Sequence, residues 1–333
     1  MPAVRRSAVP LALPIPVICE LPAFHLPVDT RAWPEVHLPG WQIVRPLSAG
    51  AQAFTYLVAP EGSADDAPLA VAKLYRTHGY EGYPFSLDEQ RWRVLREVTA
   101  LQVIARAGCT AVPEVLDYGL HAGRSEHAWL VQPFYRGGPL RWSDGVRHHY
   151  LSELKGNLDR VLEIATTLAR ALAAMHAHPM RVLHRDLNLG NVLLTKPGGA
   201  AVLADFGSVQ IRGFPSRPAE EGAILSGTGS WRAPELEREG YGEATPAADV
   251  FQLGGLIYEA ISGGRVLPPA RGWGADAPLT KPEHALADLV EDTRWPGLEM
   301  LLAEMLALLP EERPTAEEVV GRLEGASRVA VGG

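Results

Sequence analysis

The chain has 333 residues, of which 47% are apolar and 21% charged, with a formal net charge of −8. That balance predicts a globular protein with a sizeable core, and the acidic excess without a long basic run excludes a nucleic-acid backbone as a main partner. Two cysteines, Cys19 and Cys109, offer no disulfide framework or metal quartet and suit a reducing, cytoplasmic setting, and no apolar stretch is long enough to predict a membrane span.

Residues 1–40 contain eight prolines. The run from Val9 to Cys19 after Arg5-Arg6 imitates an export signal, but three prolines interrupt it. It reads as a Pro-rich N-terminal extension: a linker, with partner binding as its other use. From Trp41 the texture changes. Trp41–Arg45 and Phe54–Val58 read as strands around a small-residue turn, and Leu69–Tyr75 as a third. Residues 86–107 switch to helical spacing, with Leu87, Val94, Leu95, Val98, Leu101 and Ile104 on one face. Val112–Tyr118 and Ala128–Gln132 complete a sheet-rich lobe over 41–132. A Pro- and Gly-containing link, 133–138, leads into a mainly helical part, 139–325. Helices are expected over Leu158–His176, Val250–Ile261, Leu298–Leu309 and Thr315–Leu323, and 326–333 as a frayed tail. The architecture is therefore α+β and bilobal, with a cleft between lobes of the kind nucleotides favour.

The chemistry concentrates in His184-Arg185-Asp186-Leu187-Asn188-Leu189-Gly190-Asn191 and, fourteen residues after Asn191, Asp205-Phe206-Gly207. Moving a phosphoryl group needs one carboxylate to orient the attacking hydroxyl. It needs another, helped by an amide oxygen, to hold Mg²⁺. Asp186 suits the first task, Asp205 and Asn191 the second. The pair His148-His149 lacks convergent ligand spacing and reads as structural or solvated.

These runs, with Ala70-Val71-Ala72-Lys73, Gly227-Thr228-Gly229-Ser230-Trp231-Arg232-Ala233-Pro234-Glu235, Asp249 in Ala248–Gly254, and Glu311-Glu312-Arg313-Pro314-Thr315, carry a resemblance. From about Trp41 to Glu324 the chain resembles a eukaryotic-type (Hanks-type) Ser/Thr protein kinase domain of the bacterial kind. The resemblance implies ATP and Mg²⁺ (or Mn²⁺) as cofactors and proteins with Ser/Thr acceptors as substrates. Lys73 would bridge the nucleotide phosphates, held by Glu97, with Glu89 as the competing carboxylate. Pro133 would accept from the adenine amino group and Tyr135 donate to the ring. Gln132 would stand beside the purine, with Thr55, Val71 and Leu193 sandwiching it, and Leu47, Ser48, Gly50 and Ala53 in the covering loop. His184, Arg185, Phe206 and Gly207 would support the site, Asp249 would anchor the catalytic loop, and Glu235 would pair with Arg313.

Three departures from the family pattern stand out. The loop Ser48-Ala49-Gly50-Ala51-Gln52-Ala53 keeps one of three glycines, so weaker nucleotide binding is expected. Pro139 stands where relatives carry a ribose-binding group. Asn188 replaces a lysine that neutralises γ-phosphate charge, so restoring Lys should speed turnover. A nucleotide-binding scaffold without catalysis and a small-molecule kinase are the competing readings. Arg185 would answer phosphorylation of the segment containing Ser216, Ser226 and Thr228, though Ile224 fills the usual acceptor slot. No sensor or anchor is expected after the kinase-like region, so input would come through partners.

Overall fold

Alternation along Ala70–Tyr75 explains how the first lobe is built. Ala70, Ala72 and Leu74 point one way, into a core with Leu38, Tyr56, Val58, Trp129 and Val131. Val71, Lys73 and Tyr75 take the opposite face, because strand side chains alternate with period two. The structure is a computed structural model that describes residues 36–49, 53–64, 67–76, 86–120, 127–143, 148–150, 152–154, 156–214, 232–239, 244–262 and 297–331. The first sheet comprises β1 (Trp41–Ala49), β2 (Ala53–Pro60), β3 (Ala70–Tyr75), β4 (Asp117–Gly119) and β5 (Trp129–Pro133). Its order is β1-β2-β3-β5-β4, antiparallel throughout. The strand expected over Val112–Tyr118 shrinks to Asp117–Gly119, because Leu116 N–H already closes on Val131 O at 2.9 Å and the preceding backbone is irregular.

Helix α1 (Leu87–Arg106) covers the Lys73 face of this sheet. Ser86 and Glu89 start it with a reciprocal capping box, each side chain satisfying the other's backbone N–H. Glu89 is thereby used at the helix start. Val94, Val98, Leu101 and Ile104 are buried as expected, whereas Leu95 is 37% exposed.

Past the link, β6 (Gly138–Pro139) pairs with β10 (Val192–Leu194), which pairs in turn with β11 (Ala201–Leu203). The link approaches this sheet closely. Gly137 N–H donates to Leu194 O at 3.0 Å, and a Cβ at Gly137 would stand 2.5 Å from Leu194 Cβ. A hairpin follows, β7 (Arg141–Ser143) and β8 (His148–Tyr150), and β9 (Val182–Leu183) pairs with β12 (Gln210–Ile211). His149 stacks on Trp142.

Among the described residues the helices of this lobe are α2 (Leu158–Ala177), α3 (Pro234–Glu239), α4 (Pro246–Ile261), α5 (Leu298–Met305) and α6 (Ala316–Val331). α4 is buried on all sides from Ala248 to Ala260, which is why its sequence is apolar all round. Two expectations change here. α5 stops at Met305, where the chain turns at Leu306 before a 3-10 turn at Pro310–Glu312, and α6 continues to Val331 through the expected tail. No helix among the described residues is long and apolar enough to cross a membrane.

Candidate active site

The β10–β11 hairpin sets the centre of the site. Val192 pairs with Leu203, so Asn191 just before β10 and Asp205 just after β11 meet at one end of the hairpin. Ala204 N–H closes that end by donating to Asn191 O at 2.7 Å. Asp205 adopts a left-handed backbone, φ 59°, and its carboxylate accepts from Gly207 N–H. Arg185 is left-handed too, φ 66°. Such conformations cost about 1–3 kcal/mol and persist where surroundings over-determine them.

Those surroundings are visible. Asp249, fully buried on α4, accepts from the backbone N–H groups of His184 at 2.9 Å and Arg185 at 2.8 Å, and from His176 Nε2 at 2.9 Å. Burial alone would raise the Asp249 pKa, but His176 and the Arg185 N–H outweigh it and hold the carboxyl below its ordinary range. His184 Nε2 donates to Ala204 O at 3.1 Å, and its ring meets Phe206 edge-on at 4.8 Å. Burial lowers the His184 pKa, so the ring stays neutral and its Nδ1 accepts from Asp186 N–H. Gln252 adds a two-way tie, receiving Leu187 N–H and donating to Arg185 O.

Asp186 is gripped by two amides. Asn191 Nδ2 donates to its Oδ2 at 3.0 Å and its backbone O at 2.8 Å, while Asn188 Nδ2 lies 3.3 Å from its Oδ1. Burial and then the Asp205 charge push the Asp186 carboxyl up to about 7, against those amide bonds. Asn188 Oδ1 accepts from Gly190 N–H at 2.9 Å and faces Arg141 Nη2 at 3.5 Å. Arg141 is in turn paired with buried Glu259 at 2.6 Å, which also receives the Tyr150 hydroxyl at 3.0 Å.

Lys73 crosses between the lobes. Its Nζ lies 3.0 Å from Glu97 Oε2 and 2.6 Å from Asp205 Oδ1. Burial would lower its pKa, but Asp205 and then Glu97 more than compensate and hold it well above the ordinary lysine value. Two arginines fasten the segment after Asp205: Arg96 Nη2 donates to Gly207 O at 2.6 Å and Arg185 Nε to Ser208 O at 2.7 Å. Glu235 on α3 receives a fork from Arg313 at 2.7 and 2.8 Å, with Arg313 also over the Phe251 ring.

Of the residues expected around a nucleotide, Thr55 pairs with Lys73 across β2–β3 and Val71 with Gln132 across β3–β5. Thr55, Val71 and Leu193 are half-buried, Thr55 bonded to Ser48 Oγ at 2.7 Å, and Leu47 sits at an irregularity of the β1–β2 register. Ala53 is buried at the start of β2. In the link, Phe134 N–H is tied to Leu69 O and Tyr135 O accepts from Gly138 N–H. Gln132 Nε2 is buried and finds no partner among the described residues, which fits a group made to face a ligand. Gly50 and the stretch Gly227–Trp231 lie outside the described residues, as do Ser216, Ile224, Ser226 and Thr228.

Asp205 and Asn191, at one end of the hairpin, would offer two hard-oxygen donors. That number suits Mg²⁺, which takes one or two protein oxygens plus phosphates and water. Sequence reasoning missed Tyr75, Arg96, His176, Arg141 and Glu259. Tyr75 alone had a usable signal, standing two residues after Lys73 on one strand.

A protein kinase domain model matches residues 86–322, more than half of the chain. The chain belongs to the protein kinase family. A DNA damage-responsive serine/threonine-protein kinase of Deinococcus radiodurans, RqkA, is 34% identical over 53% of this chain and 24% of its own length. The serine/threonine-protein kinase PknA of Mycobacterium tuberculosis is 35% identical over 49% of this chain and 35% of its own. A Xenopus laevis relative, serine/threonine-protein kinase TAO1-B, is 28% identical over 72% of this chain and 22% of its own. This kinase domain thus spans about a quarter to a third of the relatives it matches.

Proposed function

We propose that this chain transfers the γ-phosphoryl group of ATP to Ser or Thr hydroxyls of protein substrates. The observation that carries the reading is Lys73 bridging Glu97 of the first lobe and Asp205 of the second, which aligns the halves of a phosphate site. The Ser/Thr kinases among its relatives support the same acceptor chemistry.

Asp186 orients the acceptor hydroxyl and takes its proton, while the amides of Asn191 and Asn188 keep the carboxylate aimed. Lys73, held by Glu97, binds the nucleotide phosphates. Asp205 and Asn191 Oδ1 hold the metal. Mg²⁺ supplies, when bound, neutralisation of charge on the triphosphate. Pro133 and Tyr135 offer backbone groups to the adenine, with Gln132, Thr55, Val71 and Leu193 around it and Leu47, Ser48, Gly50 and Ala53 above the phosphates. The Glu235–Arg313 fork ties down the end of the segment that receives a polypeptide, which favours a protein acceptor over a small molecule. The scaffold reading draws on one observation, that the Asn188 amide is committed to Gly190 and Asp186 rather than to a phosphate.

The test is transfer of labelled γ-phosphate to a protein acceptor with Mg²⁺. Wild type should transfer, whereas Asp186→Asn and Asp205→Ala should lose activity by at least about a hundredfold with circular dichroism unchanged. Transfer that survives both substitutions rejects the assignment.

A further inference from the structure

Tyr75 is buried completely beside Glu97, yet the proposed reaction gives it no task. It follows Lys73 by two positions on β3, so both side chains leave the strand on the face toward α1. Its hydroxyl donates to Glu97 Oε2, the oxygen that also receives Lys73 Nζ at 3.0 Å. The ammonium stands 5.3 Å from the centre of the Tyr75 ring, within reach of the ring's negative face. One buried carboxylate of α1 is therefore held by two donors from a single strand.

The two donors are not equivalent. Lys73 is divided, lying 2.6 Å from Asp205 and 3.0 Å from Glu97. In the proposed reaction its three protons must also serve phosphate oxygens. Each partner gained loosens its hold on Glu97, which is fully buried and cannot turn to water instead. Tyr75 has no such competition. Burial, and then the Glu97 charge, raise its pKa well above the ordinary tyrosine value, so it remains a protonated donor.

We infer that Tyr75 is a positioning residue for the nucleotide: its hydroxyl pins Glu97 to β3, letting Lys73 swing toward the phosphates without releasing α1. This rests on the kinase reading and extends it to a residue outside the family motifs quoted above. Tyr75 would not touch ATP and would act only through Glu97.

The experiment is a double-mutant cycle with wild type, Tyr75→Phe, Glu97→Met and the double variant, reading calorimetric affinity for the Mg²⁺ complex of AMP-PNP and the KM for ATP. Phe keeps the ring and nearly the volume of Tyr, and thermal melting verifies the fold. Removing a hydrogen bond to a buried charge should weaken nucleotide binding about tenfold in Tyr75→Phe and raise the KM for ATP similarly, leaving the KM for the protein acceptor unchanged. With Met at 97 the same substitution should change affinity by less than about twofold. Wild-type affinity in Tyr75→Phe, or an equal loss with and without the Glu97 carboxylate, overturns the inference. A wild-type chain that binds AMP-PNP but transfers no phosphoryl group rejects the phosphotransferase reading while the Tyr75 coupling stands. One that binds no nucleotide overturns both.

Discussion

Asn188 has every polar atom engaged: Oδ1 on Gly190 N–H and beside Arg141, Nδ2 on Asp186. It is 6% exposed, so little room remains for a longer chain. This geometry motivates the opposite prediction to the expectation that lysine here would speed turnover. Asn188→Lys would bring an ammonium toward the Arg141 guanidinium and leave the Gly190 N–H without its cap, a loss of about 0.5–2 kcal/mol. The variant should melt a few degrees lower and show a kcat at saturating Mg·ATP no higher than wild type; a faster enzyme rejects this account. The β10–β11 register brings Asn191 and Asp205 to one end, and the ion pair with Asp205 brings Lys73 to it. Asp186, Asn191 and Asp205 were legible as residue types that phosphoryl transfer uses, and Lys73 through the family resemblance alone. Arg141 and Glu259 were not. Their pairing joins positions 118 residues apart, and neither local spacing nor propensity announces it.

At the scale of elements, α1 is the part that joins the two halves of the site. Glu97 reaches β3, Arg96 reaches Gly207 O, and Trp92 packs its ring against Phe214 at 5.4 Å. Its existence was readable from period 3.6, but its orientation only partly. The buried stripe runs through Gln90, Arg93 and Glu97 as well as Val94, Val98 and Leu101, so polar residues mark the functional side and an apolar count misplaces Leu95. The strands were legible from alternation, whereas the end of α5 was not, since Leu306–Leu309 continue the apolar texture while the backbone turns. α3 depends on a distant cation. The Arg313 side chain is wholly buried and that of Glu235 nearly so, and Arg313→Met would strand the carboxylate. That should destabilise the fold by about 3–5 kcal/mol, seen as a lower urea midpoint with an unchanged m-value. A midpoint within error of wild type contradicts it.

At the scale of the whole molecule, the second lobe is tied together through Asp249, which connects α2, α4 and the 184–191 loop by way of His176, His184 and Arg185. Its folded pKa lies below the unfolded value of about 3.9. It therefore contributes stability at all pH values above that point, and the contribution disappears as pH falls through the folded pKa. Urea unfolding of wild type and Asp249→Asn should differ by a steady amount near pH 7 and by progressively less as pH falls below about 4. A gap that stays constant down to about pH 3 rules out this linkage.

The contact of Gly137 with Leu194 has a mechanical corollary. Beyond Arg136, whose N–H reaches Thr195 O at 3.2 Å, the connector is already fastened to the hairpin flanked by Asn191 and Asp205. Any rocking of the first sheet over the second lobe must pivot between the Phe134 N–H tie to Leu69 O and that fastening, at Phe134–Arg136. That short stretch would then serve as the axle, while Asp186, Asn191 and Asp205 keep still beneath it.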